Sequence, residues 1–189
     1  MKEIFVDIQR CAACKSCEIA CAVEHSESKS LFGAIAESSP PQKRVHIEAA
    51  HAYAYPVRCL HCGDAACIAV CPTGAMHRDL VTGAVVVNED RCLGCLMCAM
   101  VCAFGAISAR PTTRVAVKCD RCSDRQKRGL GPACVEACPT HALRFTDDQE
   151  LMKEMRLGAA ARVAEAVDGV AEQQTSSTPL DMLRSLRGH

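Results

Sequence analysis

Apolar and polar positions alternate over short stretches of this chain. Ile4, Val6 and Ile8 share one face of Glu3 to Ile8, as in a half-buried strand. Gly83–Val87, Val115–Val117 and the alternating run from Val45 to Tyr55 read the same way. Between them lie short stretches with helical character, such as Cys98-Ala99-Met100-Val101-Cys102. Ser38-Ser39-Pro40-Pro41 is a loop signal, so residues 26–58 predict a loop plus one or two strands. That segment is either a partner surface or a connector capping the rest. After Asp147 the period changes. Leu151, Met155, Ala159, Val163, Val167 and Val170 recur on one helical face, expected to pack on the body of the protein. Thr178-Pro179-Leu180-Asp181 then predicts a second short helix, with Leu180, Leu183 and Leu186 as its apolar positions.

These elements lack the residues that normally fill a core. The chain of 189 residues has no Trp and only 3% aromatic residues. It has 16 cysteines instead. Lys plus Arg balances Asp plus Glu at 22 each, so no nucleic-acid footprint is expected. The start, Met1-Lys2-Glu3-Ile4-Phe5-Val6-Asp7, has no apolar leader, and the most apolar stretch, Leu93 to Ile107, is too short to span a bilayer. A cytoplasmic protein without a transmembrane segment is expected, in a compartment where clustered cysteines bind metal rather than form disulfides.

The cysteines fall into four groups. Cys11, Cys14, Cys17 and Cys21 follow C-x2-C-x2-C-x3-C, and Cys92, Cys95, Cys98 and Cys102 repeat it. Cys59, Cys62, Cys67 and Cys71 widen the middle gap to four residues, and Cys119, Cys122, Cys134 and Cys138 widen it to eleven. The first gap is always two and the last always three. Residues after three of the groups repeat as well: Cys71-Pro72-Thr73-Gly74-Ala75, Cys102-Ala103-Phe104-Gly105-Ala106 and Cys138-Pro139-Thr140-His141-Ala142. Ala103 stands where two groups have Pro, which predicts a looser turn there.

An iron–sulfur cubane needs four thiolates at the corners of a tetrahedron. Three cysteines on one tight loop wrap three corners, while the fourth of this run ligates the other cluster of a two-cluster unit. Four all-cysteine zinc sites in a non-redox binding protein are the distant alternative. Structural zinc usually takes two C-x2-C pairs across a long spacer, so the spacing favours four [4Fe–4S] clusters and an electron carrier with no catalytic residues.

The four-fold motif resembles the four-cluster ferredoxin-like electron-transfer subunits of respiratory complexes, such as those of dimethyl-sulfoxide reductase, formate dehydrogenase and hydrogenases. The run from Cys11 to His25, CAACKSCEIACAVEH, looks more closely like the CooF-type iron–sulfur subunit paired with nickel carbon-monoxide dehydrogenase. The resemblance implies an α+β fold over residues 1–146, two ferredoxin-like lobes related by a pseudo-two-fold, followed by a helical C-terminal extension over 147–189. It implies that Cys11, Cys14 and Cys17 share a cluster with Cys138, and Cys119, Cys122 and Cys134 with Cys21. It likewise joins Cys59, Cys62 and Cys67 to Cys102, and Cys92, Cys95 and Cys98 to Cys71. The implied role is relay of electrons from carbon-monoxide dehydrogenase to a membrane-bound hydrogenase. The alternative is service to a molybdenum or tungsten oxidoreductase or a formate–hydrogen system.

A cubane with four thiolates carries about −2, so the loaded protein is far more acidic than its formal charge suggests. Arg10, Lys15, Arg58, Arg91, Lys118, Arg121 and Arg125 flank ligands and are expected to offset that charge. The run Arg125-Gln126-Lys127-Arg128-Gly129 is expected to dock an acidic partner. His61 is either a hydrogen-bond donor to sulfur or a surface or structural residue beside the cluster, and Met97 and Met100 are expected to pack on a cluster without coordinating it.

Overall fold

A computed structural model describes residues 2–175 of the chain. The described residues fall into two compact units that divide between Thr146 and Asp147. The first is a mixture of short helices and two-stranded antiparallel ribbons. Strand β1 (Glu3–Val6) pairs with β8 (Leu143–Thr146), so the two ends of this unit meet, with Ile4 opposite Phe145. β4 (Met76–Arg78) pairs with β5 (Val85–Val87), and β6 (Ile107–Ala109) with β7 (Ala116–Lys118). β2 (Val45–Ala50) and β3 (Tyr53–Arg58) form a hairpin inside the 26–58 segment.

The ribbons bracket the cysteine groups. Each group's third cysteine lies at the start of a helix: Cys17 in α1 (Ser16–Glu24), Cys67 in α3 (Ala66–Ala69), Cys98 in α4 (Met97–Met100) and Cys134 in α6 (Ala133–Glu136). The wide gap of group four holds one more short helix, α5 (Ser123–Lys127). α1 packs on α6 and α3 on α4, so group one meets group four and group two meets group three. Two separate cores follow. One gathers Ile4, Cys17, Cys21, Val45, Cys134 and Leu143; the other gathers Ala65, Met76, Val85, Cys98, Ile107 and Ala116. Sulfur and small aliphatics occupy the places that large aromatics take in an ordinary domain. A third cluster, Cys59, Ala106 and Cys119 with Cys102 against it, contains ligand candidates from groups two, three and four.

The 26–58 segment contains a helix that the polarity pattern does not reveal, α2 (Leu31–Ala36), capped by the Ser30 side chain on the Gly33 N–H. Six residues are too few to display a period. The segment is held to the body by Glu18 of α1, which is buried and accepts from Lys43 Nζ at 2.7 Å and from the Ile47 N–H at 2.6 Å. It therefore acts as a cap on the first core.

The second unit contains α7 (Asp148–Thr175). Its predicted face is present within α7, where Met155, Val163 and Val167 are 59, 64 and 62% exposed. The second C-terminal helix expected from Thr178 lies outside the described residues. No helix among the described residues is long and apolar enough to cross a membrane.

Truncating Ile4, 6% exposed in the first core, to Ala is expected to lower the unfolding free energy by about 2–5 kcal/mol. The same change at Leu80, 97% exposed, should stay within about 0.5 kcal/mol. Denaturant unfolding of the loaded protein measures both.

Candidate metal centres

The four loops share one backbone solution. In each, the residue before the second cysteine adopts a left-handed conformation: Ala13 (φ 55°), His61 (φ 51°), Gly94 (φ 67°) and Arg121 (φ 58°). A left-handed residue among right-handed ones turns successive N–H groups toward one centre, a concavity suited to an anion. Only at 94 does space demand glycine as well, because a Cβ there would lie 3.0 Å from the Arg114 carbonyl oxygen. The turn after the last cysteine is also repeated. Gly74, Gly105 and His141 are left-handed, and their N–H groups donate to the carbonyls of Cys71, Cys102 and Cys138, each at 3.2 Å. The turn without proline closes like the other two, so Ala103 does not loosen it.

Backbone N–H groups reach the sulfurs. Arg44 donates to Cys21 Sγ at 3.2 Å, His61 to Cys59 Sγ and Arg121 to Cys119 Sγ at 3.4 Å, and Met76 to Cys71 Sγ and Ala116 to Cys92 Sγ at 3.5 Å. The hydroxyls of Ser16, Thr73 and Thr140 lie beside Cys14, Cys71 and Cys138.

All sixteen cysteines are free thiols. Cys11, Cys14, Cys17 and Cys138 line one hollow. Cys92, Cys95, Cys98 and Cys71 line another. Cys21 and Cys134 are buried close to Cys119 and Cys122, and Cys67 is close to Cys59 and Cys102. Burial pushes Cys17 up to about 11 and Cys122 up to about 12, and drives Cys21, Cys119 and Cys134 upward too, with neighbouring sulfurs adding repulsion for Cys21 and Cys134. Such a set is unfavourable as bare thiolates. A bound metal removes that difficulty by deprotonating and pairing with the sulfurs, so the donor set fits iron–sulfur clusters.

The comparisons agree with this chemistry. A family model described as a 4Fe–4S dicluster domain matches residues 50–148. The protein belongs to this family. An iron–sulfur protein of Rhodospirillum rubrum is 39% identical over 175 residues, covering 86% of this chain and 91% of the relative. The B subunit of anaerobic dimethyl sulfoxide reductase from Escherichia coli is 39% identical, covering 79% of this chain and 75% of the relative. Electron transport protein HydN of the same organism is 37% identical, covering 78% and 89%. This dicluster-domain protein therefore carries multiple [4Fe–4S] clusters and transfers electrons, with no catalytic site of its own.

Several flanking side chains take other roles than the sequence suggests. The His61 side chain is buried, and its Nδ1 accepts the Val85 N–H at 2.9 Å. Burial, helped by Lys118, Arg121 and Arg58, holds His61 down at about 2, so the ring is neutral; it is the His61 backbone that donates to Cys59 sulfur. Met97 lines the Cys92 hollow, whereas Met100 is 86% exposed and is not part of that lining. The basic run in the wide gap of group four is already engaged. Arg125 pairs with Glu24 at 3.0 Å and with Glu136, and Lys127 pairs with Asp79 at 2.9 Å. Within the run, Arg125 braces this dicluster-domain protein internally, while the side chains of Lys127 and Arg128 keep much of their surface exposed.

Sequence reasoning missed Asp120 and Arg44. Asp120 accepts from the Cys122 N–H at 2.8 Å, from Arg44 Nη1 at 2.6 Å and lies 3.2 Å from His25 Nε2. Burial alone would raise its pKa; His25 and Arg44 hold it well below the usual carboxylate range. The same Arg44 gives its backbone N–H to Cys21, a coincidence 76 residues apart in sequence that no local pattern signals.

Asp79 is held at about 2, first by Lys127, with the Val81 and Thr82 N–H groups adding to it. A carboxylate with a depressed folded-state pKa stabilises above its unfolded value, about 3.9, and loses that contribution as pH falls toward 2. Asp79→Asn should therefore be less stable than the parent by a constant amount from pH 5 to 7. The gap should narrow below about pH 4, as denaturant unfolding across that range would show.

Proposed function

We propose that the chain is a wire of four [4Fe–4S] clusters that relays low-potential electrons from a nickel carbon-monoxide dehydrogenase to a membrane-bound hydrogenase. On this reading residues 1–146 are a four-cluster domain of two ferredoxin-like lobes related by a pseudo-two-fold, and residues 147–189 a helical extension. The protein works in the cytoplasm, reaching the membrane through its partner.

The observation that carries the four-cluster reading is the pair of hollows, each lined by three cysteines of one group and the fourth of another. Cys11, Cys14, Cys17 and Cys138 form one ligand set, and Cys92, Cys95, Cys98 and Cys71 a second. Cys119, Cys122 and Cys134 then take Cys21, and Cys59, Cys62 and Cys67 take Cys102. The order follows from the shared packing of Cys59, Cys119 and Cys102, which makes the last two sites inner neighbours. The outer sites hold the two exposed cysteines, Cys14 and Cys95. Electrons enter and leave through the outer sites and cross the buried inner ones.

The partner assignment rests on the resemblance of the Cys11–His25 run. A second reading, service to a molybdenum or tungsten oxidoreductase or a formate–hydrogen system, is favoured by the equal identity, 39%, to a subunit named for dimethyl sulfoxide reductase. Mixing the loaded protein with nickel carbon-monoxide dehydrogenase and CO should bleach its visible absorption within the turnover time of the enzyme. Rapid bleaching by a molybdenum oxidoreductase and its substrate, with none by CO, would replace the first reading by the second.

Ligand exchange between groups has its own test. Cys138→Ala should lose the cluster begun at Cys11 and keep that of Cys119, Cys122 and Cys134. Iron analysis with EPR of the reduced protein should count three cubanes, the lost one being the same as in Cys14→Ala. Loss of the Cys119 site instead would refute the exchange.

A further inference from the structure

Four basic side chains are buried where the two inner ligand loops meet. Arg58 and Lys118 each precede the first cysteine of their group, and His61 and Arg121 each precede the second. Arg58, Lys118, His61 and Arg121 are 5, 3, 5 and 1% exposed respectively. Nearly all their partners are carbonyl oxygens. Arg58 donates to the carbonyls of Cys59 and Ile4, and Lys118 to those of Cys119, at 2.7 Å, and Val85. Arg121 donates to the Lys2 carbonyl at 2.8 Å and lies 2.9 Å from Glu3, a half-exposed carboxylate. The other carboxylate nearby, Asp120, is already engaged by Arg44 and His25. Arg58 Nε, Arg121 Nε and His61 Nε2 are buried with no hydrogen-bond partner among the described residues.

Buried cations are strongly unfavourable unless paired. Three permanent positive charges with one half-exposed carboxylate leave this region short of negative charge. Orphaned donors mark the same deficit, since buried N–H groups are almost always satisfied. Both inner loops lie against these groups. Lys118 and His61 meet on one residue, Val85, whose carbonyl takes the first and whose N–H serves the second. Arg58 and Lys118 also act across the boundary between loops: Arg58 stabilises the thiolates of Cys119 and Cys134, and Lys118 those of Cys67 and Cys119.

We propose that Arg58, Lys118 and Arg121, with the His61 ring, form a positive partition between the two inner cluster sites, holding both at higher reduction potential than the outer two. The inference rests on the ligand sets proposed above. A cubane on four thiolates takes up one electron, passing from about −2 to about −3 overall with no bond made or broken. Fixed positive charge beside it favours the more negative state. At the outer sites positive charge is more exposed: the Cys11 hollow is lined by the exposed Lys15, and beside the Cys92 hollow stands the exposed Arg91, which donates to the Thr73 carbonyl. Electrons passing along the wire thus meet their most favourable stations in the middle.

The test is an EPR-monitored reductive titration of the loaded full chain. Cys14→Ser and Cys95→Ser each mark one outer midpoint. In Lys118→Met and in Arg121→Met, both unmarked midpoints should move to more negative potential, with outer ones moving less. Arg10→Gln, which removes an exposed charge, should move none of the inner pair. Inner midpoints that stay in place at full iron content would overturn the inference, as would outer midpoints shifting equally. If Lys118→Met fails to load, Lys118→Arg should load with parental midpoints; failure there too, with Arg121→Met unshifted, would show that charge is not the cause. If Cys14→Ser and Cys95→Ser alter the same midpoint or none, the ligand sets are wrong, a result separate from the fate of the partition.

Discussion

A sulfur that binds iron does so as a thiolate, and a thiolate in the interior of a protein needs its charge balanced where it stands. Here seven of the sixteen cysteines are buried, and the rest of the first unit is arranged around that requirement. The left-handed residue in every loop turns N–H groups inward. The shared turn after three groups returns the chain, and after the first of these the Met76 N–H reaches the Cys71 sulfur. Helices α1, α3, α4 and α6 each hold a third cysteine in their first turn, α1 packs on α6 and α3 on α4, and Cys138 lies at the Cys11 loop and Cys71 at the Cys92 loop. Without metal, the two cores would consist mostly of thiols and small aliphatics, a poor basis for stability in a unit this lean in aromatics. Metal binding is thus folding free energy as well as function.

The ligand chemistry was legible because it is local. The cysteines of a cubane loop lie within a short stretch of sequence, and their glycine, proline and cysteine positions repeat in register. Strands were legible for the same reason, each being a short alternation next to a group. What escaped depends on distance. Arg44 and Asp120 lie 76 residues apart, and nothing around either announces that they meet at Cys21. The ion pairs of Arg125 with Glu24 and of Lys127 with Asp79 join distant parts of the sequence, and nothing around the basic run announces them. Helix α7 was found by its period, yet period only says which residues share a face. It does not say what that face meets.

His61 shows where a residue type alone misleads. A histidine inside a cluster loop invites a role for its ring as a donor to sulfur or a carrier of protons. Burial next to Lys118, Arg121 and Arg58 makes a further positive charge there too costly, so the ring stays neutral and its Nδ1 serves as an acceptor for Val85. The proton then resides on Nε2, the nitrogen that faces no acceptor among the described residues. Neutrality turns the residue from a switch into a fixed dipole.

The same logic separates the two kinds of basic residue in this protein. Charges at the surface, such as Arg10 beside Asp7, are screened and add little to the field at a buried site. Lys118 and Arg121 act through a medium with little water, where each charge is felt more strongly and cannot be shed cheaply. A chain with a formal charge of zero can therefore be strongly positive at its centre and negative once loaded. Net charge, read from composition, averages away the one place where charge decides what the protein does.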